Sequence, residues 1–209
     1  MQNKLNDINM DVDSIERKLR KFKLEFIKNK RSDIERKIKF PMFVKSFYNY
    51  IDEYANLPTQ ETFFDYYIQK NKNNKNIKKL NDDQLEGLRA RIYRAYPSYI
   101  RDLHFAKILQ EKTELEEVIY NVELDVNGTD VLVKENGINY AVNLFVDTKR
   151  SNIARIRKKK RHNKDKKYID VELPLVFNKA REVGDFFLYG KRELIEFLNL
   201  VLKTQREMG

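Results

Sequence analysis

The chain has 209 residues, a formal net charge of +10, no cysteine and two histidines, His104 and His162. The absence of cysteine excludes disulfides, iron–sulfur clusters and thiolate zinc sites, and two histidines argue against a histidine zinc site. No apolar run approaches the roughly 20 residues of a membrane span, and the N-terminus lacks an apolar signal-peptide core. We therefore expect a cytoplasmic protein without a membrane partner. The positive charge favours polyanions, nucleic acid before anionic membranes.

The first part of the chain is predicted to be helical. Spacings of four and three residues place apolar side chains on one face of a first helix: Ile15, Leu19, Phe22 and Phe26. Ser32 and Glu35 have the capping-box spacing, which predicts a second helix that Pro41 interrupts. The aromatic stretch from Phe43 to Tyr54 predicts a third.

Further helices are predicted up to about Lys112. Thr59 is placed to cap a helix rich in Phe and Tyr, and the polar, basic stretch 71–79 is interpreted as an exposed loop. Asn81 is placed to cap a helix that runs to about Tyr96, and Pro97 then opens another. Residues 1–96 are accordingly expected to form a helical domain that packs as a support or binds DNA or a partner protein.

Beyond Thr113 the pattern changes to that of strands. Alternating apolar residues from Val118 to Leu124 predict a first strand, and Asn127-Gly128 is a strong turn signal. Val131–Val133 and Tyr140–Val146 follow, separated by a turn at residues 135–137. These three segments predict an antiparallel meander.

The remaining elements complete a mixed fold. The sequence predicts a basic helix over about 151–161, strands at 169–175 and 185–189, and a final helix over 192–203. The predicted fold class is therefore α+β. Residues 97–209 would form a core with the order helix, three-strand meander, helix, strands, helix.

Two acidic residues occupy informative places in the meander. Asp130 begins the second strand, and Asp147 ends the third, two residues before Lys149. Because paired antiparallel strands bring the start of one beside the end of the next, the two carboxylates are expected at one sheet edge. Carboxylates in close approach favour a bridging cation, and oxygen ligands suit Mg²⁺. Lys149 could then orient or deprotonate a water, or stabilise developing negative charge.

These residues resemble a known motif. Thr129-Asp130, sixteen intervening residues and Asp147-Thr148-Lys149 are similar to the PD-(D/E)XK motif of the restriction-endonuclease-like nucleases, with Thr129 in place of the proline. The resemblance covers about residues 97–209 and includes the order of elements. It implies that Asp130, Asp147 and the Thr148 carbonyl bind Mg²⁺ or Mn²⁺. It also implies that Lys149 orients or deprotonates the attacking water. Asp102 is the candidate for the acidic residue that many members add from the preceding helix.

Alternatives to this assignment stay open. Asn143 lies on the same strand face as Asp147 and is a rival second ligand; Phe145 would then take the lysine position, and Lys149 or Arg150 would supply the charge. Asp130 can equally be a turn residue, and Asp147 can cap the basic helix.

The excess positive charge is local. Residues 149–167 contain eleven Lys or Arg against one acid, a net charge of +10 that equals that of the whole chain. A helix carrying these side chains would neutralise several phosphates, although a merely solvated basic face is the alternative. The candidates for contact with nucleic acid are Arg150, Arg155, Arg157, Lys158, Lys159 and Arg161.

The sequence thus predicts a metal-dependent endonuclease that hydrolyses DNA phosphodiester bonds, with DNA favoured over RNA. The alternatives are a nucleic-acid-binding protein without catalysis and a subunit of a larger nucleoprotein complex. Nucleases of this class often act as dimers, so the resemblance also suggests a homodimer.

Overall fold

The computed structural model describes residues 10–126, 128–148 and 168–208 and shows an α+β fold with a helical N-terminal part and a mixed four-stranded sheet. The chain divides into two compact units. The first, here called the helical unit, comprises Met1–Ile100 and Gly184–Phe186. The second, the sheet unit, comprises Arg101–Val183 and Phe187–Gly209. The boundary thus lies inside a helix, four residues after the predicted end of the first domain at Tyr96.

The helical unit is built from short helices and the first part of a long one. In chain order they are α1 (Val12–Leu19), a π-helical turn (Asp33–Lys37), α2 (Phe43–Tyr54), α3 (Gln60–Lys70), α4 (Lys75–Lys78) and α5 (Asp82–Lys112). The predicted bounds of α2 agree with those observed. The stretch interpreted as a loop contains the single turn of α4.

Two predictions at the N-terminus are wrong. The first helix ends at Leu19, and Phe26 is 73% exposed rather than part of an apolar face. The helix does not continue because backbone N–H groups beyond Leu19 bond to side chains far away in the sequence. The N–H of Leu24 donates to the Asp185 carboxylate, and the N–H of Glu25 donates to the Gln60 side chain. Ser32 makes no capping hydrogen bond, and only the π-helical turn follows it.

The two predicted caps farther along are confirmed. The Thr59 side chain accepts from the Thr62 N–H, and the Asn81 side chain accepts from the Gln84 N–H at 2.9 Å. The Asn81 N–H in turn donates to the Gln84 side-chain oxygen, which completes a capping box. Local side-chain chemistry therefore fixes where α3 and α5 begin.

The predicted break at Pro97 is wrong, because α5 runs through it without interruption. Proline lacks the N–H that would donate to the carbonyl four residues earlier, here that of Tyr93. The buried Gln60 side chain donates to that carbonyl instead, over 3.0 Å. A tertiary hydrogen bond thus replaces the missing helical one.

Aromatic rings fill the core of the helical unit. Phe47 is fully buried, and among the described residues its ring contacts four others at centroid distances of 5.5 to 6.2 Å: Tyr48, Phe63, Tyr96 and Tyr99. Edge-on and tilted contacts of this kind add to the free energy of burying the rings. The aromatic-rich stretches of α2 and α3 are therefore core.

The sheet unit contains a four-stranded sheet in the order of the chain. Its strands are β1 (Glu117–Ile119), β2 (Val131–Glu135), β3 (Ile138–Val146) and β4 (Ile169–Leu175). The first three form the predicted antiparallel meander, and β4 pairs in parallel with β3. Asn136 and Gly137 take positive φ, 50° and 74°, at the predicted turn between β2 and β3.

The first predicted strand is too long. It ends at Ile119, and Val122–Val126 forms a short helix, α6. The Asn121 side chain accepts from the Leu124 N–H at 3.0 Å, so a local cap prevails over the alternating apolar pattern.

The last elements close the fold. After a 3₁₀ turn (Phe177–Lys179), β5 (Arg181–Val183) pairs with β6 (Phe186–Leu188), and α7 spans Lys191–Met208. The sequence predicted β6 and α7 but not β5. Helix α7 packs against β4, and its Phe197 contacts the ring of Tyr140 on β3. One face of the sheet is thereby buried: Val131, Val133, Tyr140, Val142, Val171 and Leu173.

Candidate functional site

Asp130 lies at the point where β2 begins. Its backbone N–H donates to the Val142 carbonyl at 3.1 Å, and its carboxylate accepts from the Leu144 N–H at 2.6 Å. The pairing of β2 with β3 starts at Val131 opposite Val142, so β2 offers no backbone acceptor to Leu144. The Asp130 carboxylate takes that place, and an ionised acceptor makes this a strong hydrogen bond. The candidate ligand is therefore anchored to the C-terminal part of β3.

Asn143 is next to that anchor. It is partly exposed, on the opposite side of β3 from the buried Val142, and its parallel partner on β4 is Glu172. Since register partners in a sheet share a face, Asn143 and Glu172 lie side by side on the more polar face. The amide nitrogen of Asn143 donates to the Ala141 carbonyl at 3.3 Å, which leaves the oxygen of that side chain as the group suited to a cation.

Asp147 lies farther along the chain, past the end of β3. Its side chain is exposed, and its N–H donates to the Leu175 carbonyl at 2.8 Å. The N–H of Thr148 donates to the Val146 carbonyl, also at 2.8 Å. Three residues of extended chain separate Asp147 from Leu144, which is about 10 Å of strand. Ligands of one Mg²⁺ lie much closer to each other. The backbone therefore favours Asn143 over Asp147 as the neighbour of Asp130, and a shared Asp130–Asp147 metal site stays a prediction.

The remaining predictions for this region lie outside the described part of the chain. They are the basic helix over 151–161 and the role of Lys149, which was predicted to orient or deprotonate the attacking water. The six candidates for nucleic-acid contact also lie there: Arg150, Arg155, Arg157, Lys158, Lys159 and Arg161. Their roles stay predictions.

Tyr189 connects the ends of two strands to helix α5. Its side chain is buried, and its hydroxyl donates to the carbonyls of Phe145 at 3.2 Å and Leu173 at 3.3 Å. Its ring contacts Phe105 of α5 at a centroid distance of 5.1 Å. The Tyr189 hydroxyl thus bonds to both β3 and β4, while its ring contacts α5. Tyr189 therefore links the two strands to that helix.

Asp102, on α5, acts on the Tyr189 hydroxyl through its charge. Burial raises the pKa of the Tyr189 hydroxyl far above its ordinary value; the negative charges of Asp102 and Asp130 raise it further, and Arg101 opposes them. Asp102 on α5 and Asp130 at the start of β2 thus both act on this hydroxyl electrostatically. That the two acids share one site stays a prediction.

Tyr189 was not predicted as a site residue. It is the last residue of the predicted strand 185–189, like many core tyrosines, so no sequence signal separated it from them. Arg101 alternates with Tyr96 and Tyr99 in the sequence, a pattern that can also continue a nucleic-acid surface. Burial lowers the pKa of the Arg101 guanidinium, and the negative charge of Asp102 acts in the opposite direction.

Two absences concern the described residues alone. Across 10–126, 128–148 and 168–208, no three His, Cys, Asp or Glu side chains form a group suited to hold a metal ion. In the same part of the chain, no helix is long and apolar enough to cross a membrane.

Comparison with known proteins identifies no family. No protein-family model, no curated protein and no solved structure matches the chain.

Proposed function

We propose that this protein is a metal-dependent endonuclease that hydrolyses DNA phosphodiester bonds with residues of the sheet unit. The observation that carries the proposal is the anchoring of Asp130, whose carboxylate accepts the Leu144 N–H beside Asn143. The motif resemblance assigns functional roles to Asp130 and Asp102.

The donor set fits a hard cation. Carboxylate and amide oxygens are the groups that Mg²⁺ and Mn²⁺ take from proteins, and Asp102, Asp130 and Asn143 supply them. Asp147 and the Thr148 carbonyl are the alternative second donors that the literal motif gives. When bound, the cation would supply Lewis-acid stabilisation of the charge that develops on the phosphate.

The chain's own residues carry the other tasks. Asp130 is held in one orientation because its carboxylate accepts the Leu144 N–H, which reduces the reorganisation needed for ligation. Tyr189 remains neutral at physiological pH because burial raises its pKa, so it acts as a support rather than as a base. Lys149 is the proposed group that orients the water, and the basic stretch 149–167 is the proposed surface for the DNA backbone.

The test is cleavage of supercoiled plasmid with Mg²⁺, with and without EDTA, by the wild type and by Asp130→Asn. The wild type is expected to cut only with Mg²⁺, and Asp130→Asn to abolish cutting while DNA binding stays intact or tightens. The amide oxygen of Asn can still accept the Leu144 N–H, so the fold is retained, but the charge that holds the cation is gone.

A matched control is Glu117→Gln, which removes a negative charge from an exposed position on β1 of the same sheet. It should cut like the wild type. Wild-type cleavage by Asp130→Asn, or no cleavage by the wild type with either Mg²⁺ or Mn²⁺, would refute the nuclease proposal. Asn143→Ala and Asp147→Ala then identify the second ligand, and we expect Asn143→Ala to lose more activity.

A second candidate function is nucleic-acid binding without catalysis. It is favoured by the concentration of positive charge in residues 149–167 and by the lack of a three-residue metal group among the described side chains. Both candidate functions require the basic stretch 149–167, so the role of that stretch is tested by DNA binding, separately from cleavage. Replacing Arg155, Lys158, Lys159 and Arg161 by Ala should weaken binding and flatten the slope of log K against log salt concentration by about 0.9 for each phosphate that is no longer neutralised. An unchanged slope would place the binding surface elsewhere.

A further inference from the structure

Two exposed phenylalanine rings, here called the phenylalanine pair, lie in contact in the sheet unit. Phe177 begins the 3₁₀ turn after β4 and is 43% exposed, and Phe187 is the middle residue of β6 and is 38% exposed. Their ring centroids are 5.2 Å apart, and the ring planes make an angle of 71°. Because the rings meet edge to face, each keeps at least one face that the other does not cover. Single apolar side chains on a surface are ordinary, but a contiguous exposed pair marks a candidate binding site.

The strand pattern explains why Phe187 faces outward. Successive side chains of a strand point to opposite sides, and both neighbours of Phe187 on β6, Phe186 and Leu188, are buried. These neighbours supply the contribution of β6 to the core. The ring of Phe187 is therefore presented to solvent at a position where the fold does not require an aromatic residue.

The phenylalanine pair lies at the carboxyl ends of the parallel strands β3 and β4. The carbonyl of Leu175, two residues before Phe177, accepts the Asp147 N–H. Tyr189, two residues after Phe187, donates its hydroxyl to backbone carbonyls of both strands. Both rings thus follow from residues that are bonded at the end of the sheet where Asp147 leaves β3.

The charge pattern favours a polyanion as the ligand of this end of the sheet. In the sequence, Thr148 leads directly into the stretch 149–167, with eleven Lys or Arg against one acid. The segment 178–186, which connects the two rings, carries two cations and two acids, and one of these acids, Asp185, already pairs with Lys23. A positive field of this kind attracts the phosphates of a nucleic acid.

We propose that the phenylalanine pair binds an unpaired base of a nucleic acid, which stacks on an uncovered ring face. Proteins hold single-stranded bases on aromatic side chains in this way, because every base has a π-face. In an intact duplex the neighbouring bases cover those faces, so the pair selects single-stranded or locally opened nucleic acid. The choice of nucleic acid as the ligand rests on the proposed function and deepens it, since the preferred substrate becomes DNA that contains unpaired nucleotides.

The test measures binding to the full-length protein by fluorescence anisotropy, in EDTA so that no cleavage interferes. The probe is a fluorescein-labelled oligothymidylate of about 15 nucleotides, a length within the site sizes of single-strand binders. Phe187→Leu keeps an apolar side chain but removes the ring, and it should weaken binding by about five- to a hundredfold, the range for one stacked base. Phe177→Leu should also weaken binding. Phe187→Tyr keeps a ring that stacks and should bind within about twofold of wild type.

The matched control is Phe26→Leu, which makes the same exchange at a phenylalanine of the helical unit that is 73% exposed. It should bind the oligothymidylate within about twofold of wild type. A duplex of the same length is the second control, and Phe187→Leu should change its affinity by less than about twofold, because its bases are already stacked. Since all of these variants exchange exposed side chains, their melting temperatures should match that of the wild type.

Three results would overturn the proposal. The first is wild-type affinity for the oligothymidylate in both Phe187→Leu and Phe177→Leu, which would show that the rings do not stack on a base. The second is an equal loss of affinity for the duplex. The third is no oligothymidylate binding by the wild type; a wild-type dimer that Phe187→Leu dissociates would then make the pair an interface between two copies of the chain.

The outcomes for the two proposals are distinguishable. Ring-dependent binding of oligothymidylate by a protein that never cuts plasmid supports the base-stacking site and refutes the nuclease. Plasmid cleavage together with wild-type oligothymidylate affinity in both leucine variants refutes the base-stacking site alone.

Discussion

The continuous path of α5 through Pro97 predicts an energetic coupling between Pro97 and Gln60. Gln60 is buried on α3, and its amide nitrogen donates to the Tyr93 carbonyl at 3.0 Å and to the Glu25 carbonyl at 3.3 Å. Its amide oxygen also accepts from the Glu25 N–H at 2.7 Å. The Tyr93 carbonyl is the one that a residue with an N–H at position 97 would otherwise bond.

The magnitude follows from counting these bonds. Gln60→Met keeps the volume but removes all three hydrogen bonds and leaves a buried carbonyl unsatisfied, so we expect a loss of about 2–4 kcal/mol of unfolding free energy. In a Pro97→Ala background the new backbone N–H at position 97 can donate to Tyr93, so Gln60→Met no longer leaves that carbonyl unsatisfied. The cost of Gln60→Met should then fall by about 1–2 kcal/mol, the worth of one hydrogen bond plus one relieved carbonyl.

The assay is urea unfolding of the four proteins of this double-mutant cycle, followed by far-ultraviolet circular dichroism. Gln69→Met, at an exposed position of the same helix, is the control and should change stability by less than about 0.5 kcal/mol. Effects of Gln60→Met and Pro97→Ala that add within about 0.3–0.5 kcal/mol would refute the reasoning, because they would show that Gln60 does not replace the proline's missing N–H.

Two further predictions concern one residue in each unit. Tyr189→Phe keeps the ring contact with Phe105 but removes the hydroxyl that bonds to both β3 and β4. Urea unfolding should therefore show a loss of about 1–2 kcal/mol in the free energy of unfolding. A loss below about 0.3 kcal/mol would contradict the role of the hydroxyl in joining the two strands. The hydrogen bond from Arg31 holds the pKa of Asp33 below its ordinary value of 3.8. Because the folded pKa is the lower one, this stabilisation is present at neutral pH and is lost as the pH falls below about 4. Asp33→Asn should therefore melt below the wild type at pH 7, and the difference should shrink in acid. A difference that stays constant from pH 7 to pH 2 would exclude the Arg31–Asp33 pair as its origin.

Local signals in the sequence were sufficient wherever the chain satisfies its own backbone groups nearby. Thr59 and Asn81 cap the helices that they were expected to cap, because their oxygens reach N–H groups three residues away. The Asn136-Gly137 turn and the alternating strands on either side of it also form as predicted, since both patterns are short-range. The α+β class follows from these elements.

The misplaced elements share one cause, which is competition that the sequence pattern does not show. Phe22 and Phe26 continue the spacing of α1, but the backbone after Leu19 bonds to groups more than thirty residues away. Asn121 ends the alternating strand pattern by capping α6. Pro97 predicts the end of a helix unless the partner that Gln60 provides is known.

The candidate site shows the same division. Asp130 and Asp102 could be selected from the sequence, because a carboxylate at the start of a meander strand and one on the preceding helix are visible as residue types at given positions. The anchoring of Asp130 on Leu144 and the contact of Tyr189 with Phe105 were decided by the tertiary structure alone. The physical reason is that hydrogen bonds and charges act over a few ångströms in space, whereas the sequence records only separation along the chain. The sequence therefore determined which groups were present, and the tertiary packing determined which of them come into contact.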